Sequence, residues 1–238
     1  MFLLRKTIDE LPKKLKESIE VFGKETTEFI LKELKKENPE NVLTKRVGSI
    51  DDLSKENLEE IKKQNWLHES ILAQSGIRTK YNPDKDKFKL ILEGINEFVK
   101  TWDQQTINEL QKEIDQSLNK FEYPEGYTFV KNVKEGIRNG CRISGRLLYP
   151  KDEGFIGWHT NANDPGLRIY LNWTDNPNKE GGLLYEKDNQ IVLDPDNEPF
   201  LLRAFVGGPN QFHAVKAGKG NRLSLGFRFL RKGENKEI

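Results

Sequence analysis

Two of the three histidines of the chain stand at the ends of predicted β-strands, in a setting that could bind a metal ion. His159 is followed by Thr160 and Asn161, and His213 occurs later in the chain. Because side chains of a strand alternate between its two faces, His159 and Asn161 are expected on one face, with Thr160 on the other. One short segment then offers two ligands to a metal, and His213 could supply a third.

A basic residue and a hydroxyl follow the second histidine in the next predicted strand. Arg222 comes nine residues after His213, and Ser224 lies on the same face of that strand as Arg222. A guanidinium fork beside a hydroxyl suits a carboxylate ligand. A single strand histidine or arginine is more often structural, but the ordered set predicts a metal ion with a carboxylate bound nearby.

The order of these residues resembles that of the iron(II)- and 2-oxoglutarate-dependent oxygenases, and within them the prolyl-hydroxylase-like branch, over about residues 127 to 229. In that branch a tyrosine precedes the first histidine by ten residues, as Tyr149 does here. A strand similar to Ile169-Tyr170-Leu171-Asn172, a short acidic loop and a glycine pair similar to Gly181-Gly182 then lead to the second histidine.

The resemblance implies a metal site, a cosubstrate site and a reaction. The iron(II) ligands would be His159, Asn161 and His213. Arg222 and Tyr170 would bind the distal carboxylate of 2-oxoglutarate, with Tyr149 and Ser224 lining the pocket. The implied reaction is the O2-dependent decarboxylation of 2-oxoglutarate to succinate and CO2, coupled to hydroxylation of a small-molecule or peptidyl substrate.

Asn161 departs from the family pattern, which has Asp or Glu as the third ligand. An amide oxygen is neutral and is a poorer donor to a hard dication than a carboxylate. Three interpretations are open: Asn161 ligates through its oxygen, Asp164 reaches the metal instead, or the chain is a non-catalytic binding module with a degenerate iron site. We favour the first. A cupin-like metal enzyme without 2-oxoglutarate is a weaker alternative, because a cupin would not need Arg222.

The first half of the sequence shows the periodicity of amphipathic helices. Apolar residues recur at steps of three and four over residues 8–22, after a capping signal formed by Thr7 and Glu10. A similar pattern covers residues 53–61, and another begins at residue 88 and predicts one long helix running toward residue 119.

After residue 123, Pro and Gly punctuate the chain and short strand-like runs replace the helical pattern. The predicted strands are residues 127–131, 142–149, 155–159, 167–173, 182–186, 200–205, 211–215 and 222–229. We expect an α+β fold, in which an N-terminal helical region (residues 1–122) packs on a C-terminal double-stranded β-helix, or jelly roll (residues 123–238). The last residues, 231–238, are predicted to be a charged, frayed tail.

Composition indicates a globular protein without a strong electrostatic preference for its partners. Lys and Arg total 39 against 38 Asp and Glu, so a nucleic-acid partner is unsupported. The single cysteine, Cys141, excludes an internal disulfide and is expected to be a buried side chain. No apolar run approaches membrane-spanning length, and a cytoplasmic location is expected. The third histidine, His68, and the basic stretch over residues 120–146 are interpreted as structural or surface features.

Overall fold

The computed structural model describes residues 3–38, 42–63, 74–79, 85–120, 123, 129–162 and 164–234. Within these residues the α-helices are α1 (Lys13–Glu33), α2 (Lys55–Lys62), α3 (Lys85–Lys100), α4 (Gln104–Ser117) and α5 (Val133–Asn139). The β-strands are β1 (Leu4–Thr7), β2 (Val42–Val47), β3 (Gln74–Thr79), β4 (Cys141–Tyr149), β5 (Phe155–His159), β6 (Gly166–Thr174), β7 (Gly182–Lys187), β8 (Gln190–Pro195), β9 (Phe200–Gly207), β10 (His213–Lys216) and β11 (Arg222–Phe229). The fold therefore combines helices with antiparallel β-sheet, as expected for the α+β class.

The strands form a continuous antiparallel path that turns back on itself. Their hydrogen-bonded order is β1-β9-β6-β11-β4-β3-β5-β10-β7-β8, with β2 paired to β3 beside the path. Although β9 and β10 are not hydrogen-bonded neighbours, the rings of Phe205 on β9 and His213 on β10 have centroids 4.9 Å apart. The two ends of the path thus face each other across an enclosed space.

Alternation along β6 separates an apolar outer face from a polar inner face. In β6, residues Leu167, Ile169, Leu171 and Trp173 belong to the core that also contains buried residues of α1, α3 and α4. Their neighbours Arg168, Tyr170 and Asn172 line the enclosed space instead. Because successive side chains of a strand point in opposite directions, one strand both anchors the helices and supplies polar groups to the interior.

The region before residue 123 is not helical throughout, because β1, β2 and β3 lie within it. Strand β1 pairs with β9 in the register Leu4↔Ala204, and β3 pairs with both β4 and β5. The Thr7 N–H does donate to Glu10 Oε2 at 2.8 Å, as the capping signal predicts. That contact closes the 3-10 turn Ile8–Glu10, however, and α1 begins only after Pro12. The boundary at residue 123 stays a prediction.

Several other element predictions need correction. The single helix expected from residue 88 toward residue 119 is wrong, since α3 ends at Lys100 and Asp103 caps α4 by accepting the N–H of Thr106 at 2.7 Å. Helix α5 and strand β8 were not predicted. Residues 129–131 are not in a strand, while residues 127 and 128 of that predicted strand lie outside the described residues. The strands expected at residues 155–159 and 222–229 coincide with β5 and β11.

No helix in the described part of the chain is both long enough and apolar enough to cross a membrane.

Candidate active site

The enclosed space between the two ends of the strand path is a cavity of about 430 Å³. All seven side chains singled out in the sequence line it: Tyr149, His159, Asn161, Tyr170, His213, Arg222 and Ser224. They come from β4, β5, β6, β10, β11 and the segment after β5. The fold thus gathers residues that are up to 75 positions apart in the chain around one volume. His68 lies outside the described residues.

The two histidines are directly opposite each other on neighbouring strands. His159 on β5 and His213 on β10 are partners in the antiparallel register, and their ring centroids are 4.2 Å apart. The register shifts between His213 and Val215, so that Val215 pairs with Ile156 and β5 carries one extra residue. Such a bulge changes which side chains share a face, and both Ile156 and His159 line the cavity.

Backbone contacts assign the protons of both imidazole rings. The Nδ1 atom of His159 lies 2.8 Å from the Gly157 carbonyl oxygen, and that of His213 lies 2.9 Å from the Gln211 carbonyl oxygen. Because a carbonyl only accepts, Nδ1 is the protonated nitrogen of each ring and Nε2 is the basic one. Burial lowers the pKa of His213 well below its ordinary value, and the charges of His159 and Arg168 lower it further. A neutral imidazole is the form that binds a metal.

Asn161 completes a group of three nitrogen- and oxygen-bearing side chains. Its Nδ2 lies 3.3 Å from His213 Nε2. The side chain is packed tightly against β9, since a Cβ built on Gly207 would lie 2.8 Å from that same Nδ2. Glycine at position 207 is therefore needed for Asn161 to occupy its place beside the two histidines.

The carboxylate of Asp164, the alternative third ligand, pairs with arginine side chains. Its carboxylate oxygens lie 2.7 Å from Arg231 Nη2 and 3.0 Å from Arg168 Nη2, and one of them lies 3.4 Å from Arg228 Nε. Among the described residues, no group of three His, Cys, Asp or Glu side chains is arranged to hold a metal ion. Asp164 is thus paired with arginines, whereas Asn161 lies beside His213.

A buried network of charges lies at the Arg222 end of the cavity. The Asp196 carboxylate accepts from Arg222 Nε at 2.6 Å and from Arg203 Nη1 at 2.7 Å. Arg203 also donates from Nε to Asp194 at 2.5 Å and from Nη1 to Asn172 at 2.7 Å. Burial alone would raise the pKa of Asp196, but Arg222 and Arg203 outweigh it and hold that pKa below its usual range.

Other residues that line the cavity contact Arg222 or one another. The Arg222 guanidinium lies over the Tyr149 ring, 5.4 Å from its centroid. Ser224 Oγ accepts from Asn172 Nδ2 at 3.0 Å, and the Tyr170 ring stacks on Phe205. Within the described part of the chain, the buried Nη1 of Arg222 has no hydrogen-bond partner. An unsatisfied guanidinium N–H in a cavity is a place for an acceptor.

Sequence reasoning missed Arg203, Asp194 and Asp196. Arg203 had a detectable signal, because it is a charged residue inside the apolar run of β9 and is 1% exposed. A buried arginine requires acidic partners, yet nothing in the sequence says that these come from the end of β8 and the loop after it. Strand pairing, which local sequence patterns do not show, also brings Arg203 of β9 to Asn172 of β6.

Comparisons with known proteins give distant structural likenesses, which include a prolyl-4-hydroxylase and a T7H. No family model matches the chain, and no curated protein matches it. The chain is similar to a prolyl-4-hydroxylase of Pseudomonas putida at a TM-score of 0.39 and 16% identity, over 81% of this chain and 94% of that one. It is also similar to the full-length T7H of Neurospora crassa in complex with alpha-KG, at a TM-score of 0.43 and 12% identity, over 95% of this chain and 75% of that one. Likenesses this low leave the function to be inferred from the side chains of the chain itself.

Proposed function

We propose that this chain is an iron(II)- and 2-oxoglutarate-dependent oxygenase, built on a double-stranded β-helix, that hydroxylates a small-molecule or peptidyl substrate. One observation carries the proposal: two opposed imidazoles, an amide and a buried guanidinium with an unsatisfied N–H line the same cavity. The first three groups suit a divalent transition metal, and the fourth suits a carboxylate.

His159, His213 and Asn161 would hold the iron. The two carbonyls that accept the Nδ1 protons fix the ring orientations, so that each ring would present Nε2 to the metal. A half-turn of the Asn161 amide exchanges Nδ2 and Oδ1, and would direct an oxygen to the position that now faces His213 Nε2. Bound iron would supply coordination positions for the 2-oxoacid and O2, and with them the redox chemistry of the reaction.

Arg222 would bind the distal carboxylate of 2-oxoglutarate. Asp196 holds its Nε side, which leaves Nη1 for the ligand, and Tyr149 supports the guanidinium plane. Ser224 and Tyr170 would line the same pocket. Apolar walls that include Ile156, Leu183 and Val215 lower the local dielectric, and thereby strengthen the attraction between guanidinium and carboxylate.

The test is an anaerobic titration with iron(II) and 2-oxoglutarate, followed by the visible charge-transfer band of the chelate. Wild type should develop the band, and His159→Ala or His213→Ala should abolish it, because each removes a metal donor. His68→Ala removes the third histidine of the sequence and is the control. Arg222→Lys should weaken 2-oxoglutarate binding, since lysine cannot reproduce the fork. Loss of the band in His68→Ala alone would refute the assigned site.

Asn161 separates an active enzyme from a degenerate binding module. Asn161→Asp should raise iron affinity in the same volume, because it replaces a neutral donor by a charged one. Oxygen-dependent succinate formation from 2-oxoglutarate provides an assay that needs no identified substrate, and wild type should exceed an iron-free control. Succinate from Asn161→Asp but none from wild type would instead make this chain a non-catalytic module.

A further inference from the structure

Three arginines stand in a row across neighbouring strands at the end of the cavity opposite Arg222. Arg228 on β11 pairs in register with Arg142 on β4 and with Arg168 on β6. All three side chains line the cavity. Like charges directly opposite each other across strands are destabilising, so this basic row (Arg142, Arg228 and Arg168) costs stability in the unliganded chain. Such local conflicts are expected at functional sites.

Two carboxylates neutralise only part of the positive charge at this end of the cavity. Asp164 lies within 4 Å of Arg168, Arg228 and Arg231, and Glu234 pairs with Arg228 at 2.7 Å. The Arg228 contact lowers the pKa of Glu234 to about 2, so that this carboxylate is ionised. Arg142 has no ion-pair partner among the described residues and is exposed at the rim. Four guanidinium groups thus face two carboxylates.

The prediction of a frayed tail over residues 231–238 is wrong for residues 231–234, because Arg231 and Glu234 make specific contacts. Arg231 reaches back to Asp164, and Glu234 accepts from both Nη atoms of Arg228 and from the Arg231 N–H. The C-terminal segment up to Glu234 therefore helps to build this end of the cavity, while residues 235–238 lie outside the described residues.

The buried members of the row keep hydrogen-bonding capacity. Arg168 and Arg228 are 5% and 6% exposed. Arg168 donates from Nη2 to Asp164, but its buried Nε has no acceptor in the described part of the chain. A buried guanidinium N–H without an acceptor is costly, and an oxyanion bound in the cavity beside it would reduce the excess positive charge.

The row lies next to the metal-binding group and far from Arg222. Arg168 pairs in register with Phe205, whose ring contacts that of His213. Arg222 and Arg228 stand at opposite ends of β11, six residues apart, which corresponds to roughly 20 Å along an extended strand. The guanidinium of Arg222 is held at its own end by Asp196, and that of Arg228 by Glu234 and Asp164. A five-carbon diacid is much shorter than the strand between them, so one 2-oxoglutarate molecule does not reach both places.

We infer that the basic row binds an oxyanion, a carboxylate or phosphate group, carried by the substrate of the oxygenase. The assignment to the substrate rests on the proposed function, whereas binding of the anion does not. The arginine forks suit bidentate recognition of either group. An acidic substrate would thereby be held with its anionic group at Arg142, Arg228 and Arg168, and with the rest of the molecule extending toward His159 and His213.

The experiment is a calorimetric titration of inorganic phosphate, and in parallel of acetate, at constant ionic strength with and without saturating 2-oxoglutarate. Arg142→Gln should lower the affinity for the preferred anion about tenfold, because it removes a charged donor at the rim. Arg168→Lys keeps the charge and should lower it through loss of the fork. Arg138→Gln changes an exposed arginine of α5 that does not line the cavity, and should bind as wild type.

The two anions distinguish the possible groups, since tighter binding of phosphate or of acetate assigns the recognised oxyanion. Affinity for 2-oxoglutarate should change less than twofold in Arg142→Gln. The inference is overturned if neither anion binds wild type saturably, if Arg142→Gln and Arg168→Lys both bind like wild type, or if Arg142→Gln weakens 2-oxoglutarate binding as much as phosphate binding. A missing iron and 2-oxoglutarate band with anion binding intact would refute the proposed function alone.

Discussion

At the scale of single residues, one buried carboxylate is shared by two guanidinium groups that line the cavity. Asp196 is 4% exposed and contacts both Arg203 and Arg222. Burying two positive charges would be prohibitive without it, because each loses its hydration. Asp196 contacts Arg222 but is not among the residues that line the cavity, so its role is to position Arg222.

Replacing the Asp196 carboxylate should strongly lower the free energy of unfolding. Asp196→Asn keeps the shape but leaves Arg203 and Arg222 undercompensated, and should lower the free energy of unfolding by about 3–5 kcal/mol. Asp188→Asn, in the exposed turn between β7 and β8, is the matched control and should change it by less than about 0.5 kcal/mol. Urea unfolding followed by circular dichroism measures both. Equal stability of the two variants would contradict the positioning role.

The same pair of variants gives a pH dependence. The folded-state pKa of Asp196 lies below its ordinary value of 3.8, so its ion pairs contribute fully above that pH and are lost as the pH falls through the folded-state pKa. Wild type should therefore lose stability more steeply than Asp196→Asn below about pH 4. If wild type and Asp196→Asn lost stability equally as the pH falls, another titrating group would dominate the pH dependence.

The residues predicted from the sequence and those missed differ in the information they need. His159, His213 and Arg222 lie at the ends of predicted strands in an ordered spacing, which the sequence alone is able to reveal. Arg168 lies on the same face of β6 as Tyr170, and alternation could have placed it in the cavity. Arg142 was interpreted as solvated surface, and it is exposed, but the pairing of β4 with β11 puts it at the cavity rim.

At the scale of elements, some strands could be predicted from the turn residues that flank them, and others could not. Strands β5 and β11 were located to the residue. Strand β8 was missed although Asp188 and Asn189, both with positive φ, form a two-residue connection from β7. Strand β1 was not predicted, because local periodicity carries no information about its pairing with β9.

Close packing of α1 on β6 gives a prediction at this scale. A Cβ on Gly23 would lie 2.7 Å from Trp173 Cγ, so the helix approaches the strand through a position without a side chain. Alanine usually stabilises a helix relative to glycine by about 0.5–1 kcal/mol. Here the overpacking cost of about 1–3 kcal/mol should prevail, and Gly23→Ala should lower the denaturant midpoint.

A control in the same helix separates packing from helix propensity. Val21 is exposed, and Val21→Ala should leave the midpoint unchanged or raise it slightly. If Gly23→Ala were more stable than wild type, the contact with Trp173 would not limit how closely α1 packs on β6.

At the scale of the whole molecule, the helices and the strands share one core. Its buried residues come from α1, α3, α4 and α5 and from β1, β4, β6, β9 and β11. The Trp158 Nε1–H donates to the Ser54 carbonyl oxygen at 3.1 Å, which ties β5 to the segment before α2. Residues before and after position 123 are thus joined by apolar packing, by a hydrogen bond and by strand pairing. Local sequence patterns show none of these contacts.

These contacts predict that the chain folds as one cooperative unit, and that residues 123–238 alone do not fold. That fragment would lack β1, β3 and the helices that cover the outer faces of β6 and β9, leaving apolar residues such as Ile169 and Leu202 in water. The full chain should unfold in one transition with coincident near- and far-ultraviolet circular dichroism, and the fragment should show no cooperative transition. Adding a separate 1–122 fragment should restore the near-ultraviolet signal of Trp158 and Trp173, which pack in part against it. A sigmoidal transition of the 123–238 fragment by itself would instead establish residue 123 as the boundary of an independent domain.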